Sequence, residues 1–168
     1  RPVSLVWGSS VLSFLKGWSE SCYPFEGCGV LVGQFLPGGI RRVERFIPLS
    51  NQLREKTKAG AGVLETARAT LGQRAETEGQ FEFVMDPAEF NRAVMTAEKE
   101  GLDLVGVLHT HPDHPARPSA TDAAQPLLAG WSNVIVSVRH GRFVEARSWV
   151  RDEETVPFIE ESIELTKE

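Results

Sequence analysis

The chain predicts an α/β or α+β fold, a mixed β-sheet flanked by helices, and three observations carry that expectation. Short apolar runs of strand length alternate along the 168 residues with stretches whose apolar positions repeat at helical spacing. Turn signals at Pro37-Gly38-Gly39 and His140-Gly141 each separate two strand-like runs, which reads as two hairpins. The apolar fraction of 41% and charged fraction of 24% are those of an ordinary globular protein.

Taken in order, Val3 to Trp7 reads as a short strand. Val11, Leu12, Phe14, Leu15 and Trp18 then make one stripe, so residues 9 to 21 form an amphipathic helix whose aromatic face is core. Gly29 to Leu36 and Ile40 to Leu49 are the strands of the first hairpin. Phe81 to Met85 is another strand, and Pro87 suits the first turn of a helix running to Glu100, with Phe90, Val94 and Ala97 facing inward. Leu104 to Leu108 is apolar and β-compatible, a buried strand followed by a helix from Thr121 to Leu128. Ser132 to Val138 and Arg142 to Val150 form the second hairpin. Residues 156 to 167 read as a closing helix, with Phe158, Ile159, Ile163 and Leu165 partly buried. The whole of 1–168 is expected to be one domain, long enough for a substantial core.

Composition excludes several functions. The formal net charge of −5 speaks against a nucleic-acid partner, where a basic stripe is expected. Arg41, Arg42 and Arg45 do cluster on one strand; such a group ordinarily forms a solvated face, and a docking surface for an acidic partner is the alternative. No run approaches the ~18 consecutive apolar residues of a membrane span, and Arg1 to Trp7 lack a signal-peptide core. Arg1 in place of an initiator methionine predicts that something upstream was trimmed or left out. Cys22 and Cys28 are the only cysteines, and their spacing suits neither a zinc knuckle nor a disulfide scaffold. Reduced thiols in a cytoplasmic protein are therefore expected, with Cys28 packed near the active strand.

The richest segment is His109-Thr110-His111-Pro112, followed after a proline-bearing loop by Ser119-Ala120-Thr121-Asp122. Residues i and i+2 of a strand share a face, so His109 and His111 can bind one ion while Thr110 points away. The loop through Pro112, Pro115 and Pro118 brings Asp122 back as a third donor, a plausible zinc set that leaves a position for water. In isolation each element has a plainer reading: His-x-His pairs are commonly solvated, and Ser119 and Asp122 are natural helix-start residues. Their coincidence at one strand-to-helix junction favours metal. His114 lies in the loop as a residue that contacts substrate at most, and His140 sits at a hairpin turn facing solvent. A Ser/His/Asp triad has no Gly-x-Ser-x-Gly elbow to support it.

The same segment resembles the motif H-[ST]-H-P-x6-S-x-x-D of the JAMM (MPN+) zinc metalloproteases. Upstream, Pro24-Phe25-Glu26-Gly27-Cys28-Gly29-Val30-Leu31-Val32-Gly33 looks like the P-x-E-x-C-G-x-L-x-G form of the prokaryotic branch. Weaker similarity runs through Phe81 to Pro87 and near Phe158 to Glu161, so the resemblance covers most of the chain except residues 52 to 79. It implies a JAB/MPN-like, cytidine-deaminase-like architecture. It also implies one zinc ion on His109, His111 and Asp122, Glu26 as general base then acid, and Ser119 as donor to the developing oxyanion. The implied reaction is hydrolysis after the C-terminal Gly-Gly of a ubiquitin-like sulfur-carrier protein. A zinc amidohydrolase acting on a small molecule or free peptide, and a non-catalytic scaffold, are the alternatives. Scaffold relatives typically lack the metal ligands, all of which are present here.

Residues 52 to 79 depart from a minimal member of that family. They are charged and alanine-rich, with Val63, Leu64, Ala67 and Leu71 at helical spacing. Connections longer than about 12–15 residues are usually lids or disordered, and the expectation here is a mobile helical flap beside the substrate groove.

Overall fold

A computed structural model describes residues 4–51, 85–123, 130–153 and 156–167. The expected flap at 52–79, the expected strand before Met85 and the second half of the expected helix after Thr121 lie outside the described residues.

Seven strands carry the fold: β1 (Ser4–Gly8), β2 (Cys28–Leu36), β3 (Ile40–Leu49), β4 (Asp103–Pro112), β5 (Ser132–Arg139), β6 (Arg142–Val150) and β7 (Ile159–Thr166). They hydrogen-bond in the order β1-β3-β2-β4-β5-β6-β7, and β7 returns to β1, closing a barrel. The β1–β3, β1–β7 and β4–β5 pairs are parallel; the others are antiparallel. The mixed sheet and its two hairpins are thus those the sequence predicts.

The helices α1 (Ser9–Cys22) and α2 (Pro87–Lys99) cover different faces of the curled sheet. Leu15 of α1 is buried with Leu5, Trp7, Leu31, Val43, Phe46, Leu108, Val134 and Val136, while Val11, Leu12 and Trp18 pack at the margin. The Trp18 ring meets Phe46 edge-on at 4.6 Å, one of the pairings aromatic rings prefer. On the other face, Ala93 and Ala97 of α2 pack on Val30, Val32 and Val107, with Phe90 beside them. That helix starts where Asp86 caps the Ala88 N–H at 3.0 Å and Pro87 opens the first turn. Ser50, just past β3, donates its backbone N–H and its hydroxyl to Glu89 at 2.7 and 2.9 Å, fastening α2 to the hairpin.

The C-terminal segment corrects the sequence reading. Residues 159–166 form β7 and not a helix. Ile159 and Ile163 stand four apart, which satisfies a helix, but Ile159, Glu161, Ile163 and Leu165 also alternate at period two. Pairing decides between them: Ser162–Thr166 lies parallel along Ser4–Gly8, and Ile159–Glu161 runs antiparallel to Ser148–Val150. The barrel closes through this strand.

Glu161 points from β7 into a buried polar cluster. Ser132 of β5 and Ser148 of β6 both donate to its Oε2 at 2.5 Å, and the Arg41 guanidinium donates to the Ser132 hydroxyl at 2.9 Å. The arginines of β3 do not form one free basic face. Arg41 turns to Ser132, Arg42 pairs with Glu44, and Arg45 pairs with Glu100.

Candidate metal centre and its surroundings

β4 extends through both histidines. It runs antiparallel to β2 and parallel to β5, with Cys28 and Ile135 flanking His109. Residues Val105 to Pro112 are buried, so the two imidazoles are held by a strand walled on both sides. Cys28 therefore lies beside the candidate site as expected, and Cys22 and Cys28 are both thiols. Burial, the largest influence, pushes the Cys28 thiol well above its ordinary range.

His109 Nε2 and His111 Nε2 stand 3.1 Å apart. His109 Nε2 is 3.1 Å from Asp122 Oδ1, and His111 Nε2 is 3.1 Å from Asp122 Oδ2. Asp122 sits on the short helical turn α3 (Ala120–Ala123). Its carboxylate accepts from the Ser119 N–H at 2.9 Å, while the Ser119 hydroxyl accepts from the Asp122 N–H at 3.1 Å. This reciprocal cap fixes the carboxylate's direction. The loop behind it is pinned as well: Ser137 donates to the His114 carbonyl, Trp149 Nε1 to the Ala116 carbonyl and Arg151 to the Ala123 carbonyl.

Burial, the largest single influence on Asp122, would push its carboxyl up. The charge and hydrogen bond of His109 oppose it, joined by His111 and the Ser119 N–H, and together they hold the carboxyl well below the usual range. The group is an anion.

These residues fit a metal ion. The imidazole Nδ1 of His111 lies 2.8 Å from the Pro115 carbonyl oxygen. A carbonyl only accepts, so Nδ1 is the donor to it, and Nε2 is the nitrogen that faces His109 and Asp122 and would ligate an ion. A tetrahedral zinc site with bonds of about 2.0–2.1 Å spaces its ligands roughly 3.3 Å apart, close to the spacing seen here. Among the described residues, His109, His111 and Asp122 are the one group of buried donors able to hold an ion.

Glu26 is 6% exposed, at the entry to β2. The next residue, Gly27, donates its N–H to Thr110 Oγ1 at 2.9 Å, and its carbonyl accepts from the Thr110 N–H at 3.0 Å. Glu26 is thereby held against the end of β4 that carries the histidines. Gly27 also lets the segment pack closely on α1, because a Cβ there would meet Cys22 Sγ at 2.5 Å and the Trp18 ring at 2.9 Å. Gly29 is equally confined, its Cβ position lying 2.5 Å from the Ile47 carbonyl oxygen and the Phe46 ring.

The structure adds residues that the motif reading left without a role. Thr110 points away from the donors but ties β4 to the Glu26 segment. The signal was present in the acceptance of either serine or threonine at that position, since both supply a hydroxyl. Asn51 is buried and donates its side-chain amide to the Glu26 carbonyl at 2.9 Å; nothing local in the sequence marks it. Tyr23 donates to Asp113 at 2.6 Å, which holds the Asp113 carboxyl below its usual range and the Tyr23 phenol above its own. Ser119 and His114 are exposed, and His140 is exposed at the β5–β6 turn.

A mixed barrel with helices on both faces and a buried His-His-Asp donor set defines a domain of the JAB/MPN kind. The chain belongs to the prokaryotic homologs of the JAB domain, whose family model matches residues 9–152. It is 29% identical over 144 residues to a desampylase from Haloferax volcanii, covering 86% of this chain and 84% of that protein. It is 29% identical over 97 residues to a probable TtuB-protein conjugate cleaving protease from Thermus thermophilus, covering 51% of this chain and 66% of that one. A solution structure of a Desulfitobacterium hafniense protein superposes with a TM-score of 0.71 at 28% identity, over 98% of this chain and 94% of the other. No helix among the described residues is long and apolar enough to cross a membrane.

Proposed function

We propose that this chain is a zinc-dependent isopeptidase or peptidase that hydrolyses the bond after the C-terminal Gly-Gly of a ubiquitin-like sulfur-carrier protein. The observation that carries this reading is the convergence of the His109 and His111 Nε2 atoms on both oxygens of Asp122, with His111 Nδ1 committed to Pro115. Family membership and the similarity to a desampylase and to a probable conjugate-cleaving protease support the same class of substrate.

Zinc held by His109, His111 and Asp122 would lower the pKa of a water from about 15.7 to roughly 7. Glu26 accepts the proton of the attacking water as its oxygen bonds to the scissile carbonyl carbon, then delivers that proton to the leaving nitrogen as the C–N bond breaks. Ser119 uses its oxygen to cap Asp122 and has a hydroxyl hydrogen to donate to the developing oxyanion. A diglycine tail, lacking side chains, suits a narrow approach to these groups. Both cysteines being thiols fits a cytoplasmic enzyme.

The test is mass spectrometry of a diglycine-tailed sulfur-carrier protein bearing a C-terminal extension, incubated with zinc-loaded protein. Chelated protein and Glu26→Gln serve as controls. Loss of everything after the diglycine, absent from both controls, is the expected result. A zinc-loaded protein that spares the carrier but hydrolyses short amides would make it a small-molecule amidohydrolase, and one that cleaves neither while binding a carrier would make it a scaffold.

A further inference from the structure

The hydrogen bond between Tyr23 and Asp113 joins two segments that the proposed chemistry needs side by side. Tyr23 lies three residues before Glu26, and Asp113 lies two residues after His111. The backbone N–H and both carboxylate oxygens of Asp113 tie neighbouring segments together. Its backbone N–H donates to the Val138 carbonyl at 2.7 Å, Oδ1 accepts from the His140 N–H at 2.8 Å, and Oδ2 accepts from the Tyr23 hydroxyl at 2.6 Å. The last distance is that of a hydroxyl donating to a charged oxygen. One carboxylate thus links the Glu26 segment, the end of β4 and the β5–β6 turn.

Backbone conformation points the same way. Asp113 (φ 59°) and His140 (φ 50°) are the non-glycine residues with positive φ among the described residues, and they are bonded to each other. Such conformations persist where the surroundings over-determine them, and they cluster where geometry serves function. The Tyr23 ring passes close to the same turn, 3.9 Å from the Cβ position of Gly141. Nearby, Glu20 of α1 accepts from the Phe143 N–H at 2.8 Å, so the end of the helix is anchored to β6 as well.

We propose that Tyr23 and Asp113 are a positioning pair that holds the Glu26 segment against the His111 end of β4. The inference rests on the reading of Glu26 as the proton-transfer residue. Thr110 fixes the chain just after Glu26, at Gly27. The Tyr23–Asp113 bond fixes it just before, so the glutamate is suspended between two anchors on one strand and its continuation. Freeing one anchor leaves the metal donors in place and loosens the base.

Tyr23→Phe removes one hydroxyl and nothing else. In steady-state kinetics on the extended diglycine carrier, kcat is expected to fall about tenfold or more, since misplacement of about 1 Å can cost 10²-fold. KM and zinc stoichiometry stay near wild type. Asp113→Asn, which puts an NH2 where one of the two accepting oxygens stood, lowers kcat in the same direction, and the double variant is no worse than the poorer single one. An independent readout is amide hydrogen exchange. Phe25 and Gly27, whose N–H groups bond to the Cys22 carbonyl and Thr110 Oγ1, exchange about three- to tenfold faster in Tyr23→Phe, while Val30 and Val107 are unchanged. An unchanged kcat, or faster exchange spread evenly over β2 and β4, would overturn the positioning role. A wild-type protein that cleaves no carrier overturns the assigned reaction instead, and the exchange comparison still decides whether the pair holds the segment.

Discussion

The side-chain amide of Asn51 donates to the backbone carbonyl of Glu26 across 2.9 Å, in a place where both residues are buried. The residue just past the β2–β3 hairpin thus holds the backbone of the one expected to move a proton. Asn51→Ala takes a donor from a buried carbonyl, and leaving such a group unsatisfied costs about 1–3 kcal/mol. Urea unfolding is expected to show that loss as a lower midpoint at an unchanged m value. Activity on the diglycine carrier should fall further than the folded fraction does, and a proportionate fall would make Asn51 a purely structural residue.

Metal content gives a second prediction. His109→Ala, His111→Ala and Asp122→Ala should each abolish binding of one equivalent of zinc, measured by elemental analysis after dialysis, while Glu26→Gln retains it. Because ligation favours the folded chain by about 2.7 kcal/mol at a free-metal level one hundred times the Kd, a chelator should lower the Tm of wild type and leave that of Asp122→Ala unmoved. Equal zinc retention by all four variants would refute the ligand set.

Cys28 gives a pH dependence. Its folded-state pKa is raised by burial, so folded and unfolded chains are equally protonated below the unfolded value of about 8.5. As pH rises past that value the unfolded chain loses a proton that the folded one keeps, and stability falls by about 1.4 kcal/mol per pH unit from this group. Denaturation at pH 7.0, 9.0 and 10.0 (roughly spanning that window) should show a steeper decline for wild type than for Cys28→Ala. Parallel declines would remove Cys28 as the cause.

The strand β7 is tested through its buried carboxylate. Glu161→Ala leaves the Ser132 and Ser148 hydroxyls without the oxygen that both now address, and a loss of about 2–4 kcal/mol is expected. Glu161→Gln retains an acceptor and should lose less. Chemical denaturation separates the two, and an alanine variant as stable as wild type would mean that barrel closure does not depend on the cluster.

Much of this protein was legible in the chain itself. The boundaries of α1, the first hairpin, α2 and the second hairpin follow from apolar periodicity and turn residues, which are local properties. The donor set was legible for the same reason: His109 and His111 share a strand face, and Asp122 returns after a short, proline-bearing loop, so all three lie within fourteen positions of one another. What local pattern could not decide was any choice made by a distant partner. The spacing of Ile159 and Ile163 satisfies a helix and the alternation through Glu161 and Leu165 a strand, and pairing with β6 and with β1, 158 positions away at Ser4 and Ser162, selects the strand. Asn51 on the Glu26 carbonyl, Thr110 on Gly27 and Asp113 under Tyr23 are hydrogen bonds between segments brought together by the sheet. The sequence by itself brought His109, His111 and Asp122, three residues able to donate to an ion, into one short stretch. Tertiary structure decided how the Glu26 segment is held against β4, because a hydrogen bond spanning ninety positions leaves no periodic trace in the chain that makes it.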